Sequence, residues 1–148
     1  MDDIQGRMMN LSWQGYYCSQ ILLTLGLDRL GIENPDLIRA AGGMALGAGK
    51  GTGTCGSLTG GTCLIALYAA KGAEGEREDD NLWDMCDELW TWFEDAFGAQ
   101  YGGVRCDDIL ADRAPRLQRC GPIVAQTYAK VMEILTEYGI DPTERPGG

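Results

Sequence analysis

Cysteine is the residue through which this chain could do chemistry: there are six, at positions 18, 55, 63, 86, 106 and 120, and no histidine. That absence removes Ser/His and Cys/His nucleophile pairs, mixed Cys/His zinc sites, haem attachment by Cys-x-x-Cys-His and the commonest general base. What remains is thiol chemistry, since a thiolate is both a nucleophile and a ligand for soft metals. Cys55, Cys106 and Cys120 are predicted at helix N-termini, where unpaired N–H groups and the helix dipole favour a thiolate. Arg105 and Arg119 immediately precede the last two. Cys18 falls on the apolar face of a first helix. Cys63 lies two turns past Cys55, about 12 Å along the same helix, too far to share a disulfide or an ion. Cys86 sits among large aromatics, and both it and Cys63 read as structural core.

The elements that must position these residues are helical. Ile4, Met8, Leu11, Gly15, Cys18, Leu22 and Leu25 recur every three or four residues, predicting one long amphipathic helix over 4–25, with Gly15 admitting a close backbone approach. Asn34 and Pro35 read as an N-cap and first helical position of a second helix through Ala41. Nine glycines between Gly42 and Gly61 form a segment that disfavours ordinary helix. A third helix is predicted from Thr54–Cys55 to about Ala70, and a fourth from Leu82 to Phe97 carrying Trp83, Trp90 and Phe97. Cys106 precedes a short helical start at Asp107-Asp108, acids suited to a helix first turn. Cys120-Gly121-Pro122 opens the last helix, through Val124, Tyr128, Val131 and Leu135. Strand-like alternation is scarce, so the expected fold is all-α: a single compact bundle of about five helices over 1–140, the Gly-rich segment before the third helix, and a flexible tail over 141–148.

With 12 Lys+Arg against 22 Asp+Glu, the net charge is −10. Such a chain repels phosphate backbones and anionic membranes, so neither nucleic acid nor membrane is an expected partner. The start, with Asp2 and Asp3, lacks a basic and apolar leader, so a cytoplasmic location is expected. Cysteines there stay reduced, which favours thiol or metal chemistry over a disulfide framework. Gly51-x-Gly53-x-x-Gly56 has dinucleotide spacing but no preceding strand, and Met44 stands where a phosphate loop needs its first glycine. The acidic run Glu74–Asp80 reads as a solvated loop.

The run Thr54-Cys55-Gly56-Ser57-Leu58-Thr59-Gly60, preceded by Gly15-Tyr16-Tyr17-Cys18-Ser19-Gln20 and followed by lone cysteines at 106 and 120, resembles the C_GCAxxG_C_C family of redox-active proteins. The resemblance spans most of the chain. It implies that Cys18, Cys55, Cys106 and Cys120 are the functional set, with Gly56 and Gly60 as motif glycines and Ser57 where the family usually has alanine. It implies a redox role, often in anaerobic bacteria and near oxidoreductase or transporter genes, and related domains occur beside haem-binding segments in split-Soret cytochromes. Some relatives resemble exported proteins with twin-arginine signals, a feature this chain does not show.

Four cysteines from separated segments fit an all-thiolate iron–sulfur cluster, a zinc site, or dithiol/disulfide couples. Zinc is the weakest, because no Cys-x-x-Cys pair occurs. The preferred reading is electron transfer through a cluster held by Cys18, Cys55, Cys106 and Cys120, with Gly56 and Gly60 letting backbone N–H groups approach its sulfurs. The alternative is a dithiol switch or oxidoreductase accessory reacting through Cys55 and Cys120. A second alternative is a non-catalytic interaction subunit whose cysteines are merely buried. The partner expected of so acidic a chain is a redox protein with a basic docking surface, and a homodimer is compatible with the sequence.

Overall fold

The computed structural model describes residues 2–144. Its described residues contain seven helices and no strand, so the all-α expectation holds while the count of about five falls short. In chain order they are α1 (Asp2–Trp13), α2 (Cys18–Leu30), α3 (Pro35–Ala41), α4 (Gly56–Ala69), α5 (Leu82–Phe93), α6 (Cys106–Ile109) and α7 (Arg116–Glu137). The count rises because the long first helix is cut in two and Cys106–Ile109 stands as its own short helix.

The cut falls at Gly15, whose φ of +96° is left-handed, with open space where a Cβ would project. Gly15 is therefore a turn residue, not the close-approach residue the apolar stripe suggested. The chain reverses through Tyr16 and restarts at Cys18, with the Gln20 side chain accepting from the Tyr17 N–H at 3.0 Å. The second helix follows its sequence signals. Asn34 Oδ1 accepts the Leu37 N–H at 3.1 Å and Pro35 takes the first position, where its missing donor costs nothing.

At the centre lies α4, buried along most of its length. Gly60 lets it press on α2, since a Cβ there would stand 2.9 Å from Ser19 Cα, and Gly61 does the same toward α5 and α7 through Leu89 and Thr127. Leu58, Leu64 and Ile65 of α4 join Leu22, Leu25, Met85, Leu89, Phe93, Val131 and Ile134 in one core. Burying side chains of this size stabilises by about 1.5–3 kcal/mol each, which outweighs the poor helix propensity of the glycines.

The fourth helix follows its aromatic stripe with Phe93 and Phe97 buried edge-to-face, their centroids 4.9 Å apart, but Trp83 faces solvent. Past Phe93 the helix widens into a π turn over Glu94–Gly98. Residues 71–81 form the exposed acidic loop. Of the tail expected to be flexible, residues 145–148 lie outside the described residues, whereas Pro142 is buried and its carbonyl accepts from Tyr68 Oη at 2.8 Å.

Candidate thiol centre

Two stretches far apart in sequence are stitched together beside α4. Thr54 and Arg105 form an isolated antiparallel bridge. Around it the Cys55 N–H donates to Val104 O at 2.8 Å, the Cys106 N–H to Gly53 O at 3.0 Å, and the Asp107 N–H to Gly51 O at 2.8 Å. In this register Cys55 pairs with Val104 and Gly53 with Cys106, so the two cysteines are diagonal neighbours on one side of the bridge. The Gly-rich segment makes this possible. Leu46, Gly47, Ala48, Gly49 and Gly51 all have positive φ, coiling the chain left-handed so that residues 53–55 reach residues 104–106.

The other two cysteines arrive on helices. Cys18 opens α2, and a Cβ on Gly56 would lie 2.7 Å from its sulfur, so the missing side chain of Gly56 is what admits Cys18. Cys120 projects from the second turn of α7. The sequence expectation for Cys120 is corrected here: α7 begins four residues earlier, at Arg116, and Pro122 lies inside it, forgoing one backbone bond without ending the helix. The helix-start thiols are instead Cys18, Cys55 and Cys106.

Cys18, Cys55, Cys106 and Cys120 line one cavity of about 310 Å3 with Gly56, and its walls are mostly apolar, from Met8, Ile21, Leu46, Ile109, Leu110 and Val124. Burial raises all four thiols, Cys18 to about 12 and Cys120 to about 11. Negative charge on neighbouring cysteines adds to burial: Cys55 pushes up Cys18, Cys106 and Cys120. Helix-start N–H groups of Ser57 and Leu58 favour charge on Cys55 without overcoming desolvation. Helix-start placement favours charge on Cys55 as expected but does not prevail, because that placement gives partial charges while burial removes the solvation of a whole one.

Arg105 and Arg119 are committed elsewhere, to Asp108 and Asp112, the latter pair at 2.7 Å. Asp108 also accepts the Arg105 N–H at 3.1 Å, so the first-turn role expected of that acid holds. The cation at the cavity is Arg116, stacked 4.7 Å from the Tyr17 ring and favouring charge on Cys106 and Cys120. Sequence reasoning missed it, although its spacing of four from Cys120 would have shown it once α7 was extended backwards.

The remaining expected site residues separate cleanly. Gly56 lines the cavity, whereas Gly60 does not and acts at the α2–α4 crossing. Cys86 is buried in the core. Cys63 lines a different, apolar cavity, its Sγ 3.5 Å from Met44 Sδ.

The family whose model matches this chain, over residues 16–134, is described as "Putative redox-active protein (C_GCAxxG_C_C)". The chain belongs to the C_GCAxxG_C_C family. The matched span contains all six cysteines, among them the four that line the cavity. No curated protein and no solved structure matches the chain.

As a donor set, four thiols with no carboxylate or imidazole in the lining suit a soft, thiophilic centre over a hard cation. The side chains as they stand are spread around the cavity: among the described residues, no group of three or more Cys, Asp or Glu is arranged to hold a metal ion.

Proposed function

We propose that this member of the C_GCAxxG_C_C family is an electron-transfer protein whose centre is an iron–sulfur cluster held by Cys18, Cys55, Cys106 and Cys120. The observation that carries the reading is that one apolar-walled cavity gathers these four thiols from four elements and excludes Cys63 and Cys86. Such a cluster, held by these four thiolates, would supply one-electron chemistry through its iron ions. The residues present suit it in chemistry. Thiols that stay protonated when alone would lose their protons to a bound cation, and buried neutral thiols make poor nucleophiles for exchange with a protein disulfide. Gly56 leaves room at Cys18, and the N–H groups of Ser57 and Leu58 serve Cys55.

The partner in this reading is a redox protein that docks at the cavity mouth, drawn by the net charge of −10 if its own surface is basic. Exposed Tyr16, Leu46 and Leu117 line that mouth, and Trp13, 70 % exposed, follows Ser12 of its wall. An apolar rim around a redox site suits transient contact.

Anaerobic incubation of the purified protein with ferrous iron and sulfide is expected to produce visible absorption with iron and sulfide bound. Loading should fail in Cys55→Ser and Cys106→Ser and persist in Cys63→Ser and Cys86→Ser. Loading that survives both site substitutions would sink the reading. A second reading, a dithiol/disulfide couple including Cys55, has its own support: the spread arrangement of the side chains and the diagonal placement of Cys55 and Cys106. It predicts a colourless protein that loses two titratable thiols on mild oxidation.

A further inference from the structure

Among the described residues, Arg116 is the only charged one that lines the thiol cavity, in a chain with 22 acids against 12 bases. The acids close to the cavity thiols in sequence are turned to other tasks. Asp107 packs against Gly51, Asp108 pairs with Arg105, and Asp112 pairs with Arg119. Arg116, exposed at the cavity, is in no ion pair among the described residues. Its guanidinium stacks 4.7 Å from the Tyr17 ring, a contact that uses the flat face and leaves the N–H edge for another partner. A cleft lined by one sign of charge and walled by apolar groups focuses that charge, because low-dielectric walls keep the field inside. At long range the net charge of −10 repels anions, so any selectivity for them is local to this cation. The lining also reaches past the thiols, to Met8 and Ser12 of α1 and to Leu117 and Val124 of α7, where an apolar body has a wall to lie on.

We propose that the cavity binds a small organic anion, whose carboxylate or sulfonate-type group pairs with Arg116 while its apolar part lies on the α1 and α7 wall beside the thiols. Arginine suits this task, since its planar fork meets such a group with two parallel hydrogen bonds. A neutral molecule of the same shape forgoes the ion pair and leaves the cation unmatched, which is the source of discrimination. Such a ligand is the small-molecule side of the electron exchange, with the docking protein as the other. This rests on the cavity being the redox site, not on which centre its thiols hold.

The test compares alkylation of Cys106 and Cys120 by iodoacetate and by iodoacetamide in the whole, reduced, metal-free protein, resolved by mass spectrometry. Both reagents are attacked by the same thiolate and lose iodide, so the ratio of their rates cancels the ionisation of the thiol and leaves the effect of reagent charge. The ratio of iodoacetate to iodoacetamide is expected to be higher in the native protein than in the urea-unfolded chain, and Arg116→Gln to lower it about fivefold. Arg116→Lys, which keeps the charge, should retain most of it. Arg113→Gln, at an exposed arginine outside the lining, should leave it in place. Excess naphthalenesulfonate is expected to protect both cysteines from iodoacetamide in wild type and Arg113→Gln but not in Arg116→Gln, and the neutral naphthalenesulfonamide to protect them far less. Thermal unfolding of each variant guards against a loss that is merely structural. A ratio unchanged in folded Arg116→Gln, or equal protection by sulfonamide and sulfonate, overturns the proposal and leaves the redox reading standing. Charge selectivity in a protein that neither loads iron and sulfide nor oxidises a thiol pair sinks the redox reading and leaves the anion site.

Discussion

Among single residues, the thiols are governed by burial more than by helix-start placement. Cys18 and Cys120, raised to about 12 and 11, hold almost no thiolate at neutral pH. Without a bound centre they are expected to react with iodoacetamide at pH 7.5 at least about a hundredfold more slowly than the same cysteines in urea, because only the thiolate attacks. Site-resolved alkylation by mass spectrometry checks this, and unfolded-like rates in the native protein would show that the cavity does not desolvate them. The sequence set four cysteines apart, through the run around Cys55 and the lone positions 18, 106 and 120, and these four line one cavity. It could not display their ionisation, since desolvation depends on walls such as Ile21, Ile109 and Val124 that come from three different helices.

Among the elements, the segment between α3 and α4 decides whether Cys55 and Cys106 meet. Gly47 and Gly53 face each other backbone to backbone, and a Cβ on Gly47 would stand 2.7 Å from Gly53 O, while one on Gly53 would run into the Gly47 carbonyl. Gly49 has φ +81° but open space around it. Gly49→Ala therefore carries only the left-handed penalty of about 1 kcal/mol. Gly47→Ala adds to that penalty the need to push two backbones apart, and Gly53→Ala, whose φ is not left-handed, must push them apart as well; each is expected to cost about 2–3 kcal/mol or more. They should also weaken metal loading, whereas Gly49→Ala should not. Urea denaturation with iron uptake measures both, and equal costs at positions 49 and 53 would show that close packing is not what the glycines serve. Their density told the sequence reader that small residues were needed there, but not which pairs touch. The same ambiguity carried the expected first helix straight through Gly15, because a glycine on an apolar stripe suits a close approach as well as a turn. At α7, Pro122 matched a helix start by local rule, yet Arg116–Arg119 already lie in the helix.

For the whole molecule, the end of the described chain is fastened to the central helix through Tyr68, whose hydroxyl donates to Pro142 O. Burial, with Tyr128 and Asp141 nearby, raises Tyr68 to about 12 against Arg29, which favours the phenolate. The folded value therefore lies above the unfolded one of about 10, so this contribution to stability is complete below pH 10. Between pH 10 and 12 the unfolded chain can ionise Tyr68 while the folded chain resists, and the contribution is lost. Cys18 and Cys120 act in the same direction from about pH 9 upward. The melting temperature of the reduced, metal-free protein should accordingly fall as pH rises from 8 to 12. Tyr68→Phe removes one contributor: it is expected to be less stable at pH 8 by about 1 kcal/mol, the worth of one neutral hydrogen bond, and to fall less steeply toward pH 12. If Tyr68→Phe and wild type ran parallel over that range, Tyr68 would ionise alike in both states, and the hydrogen bond to Pro142 could not be holding the chain end against α4.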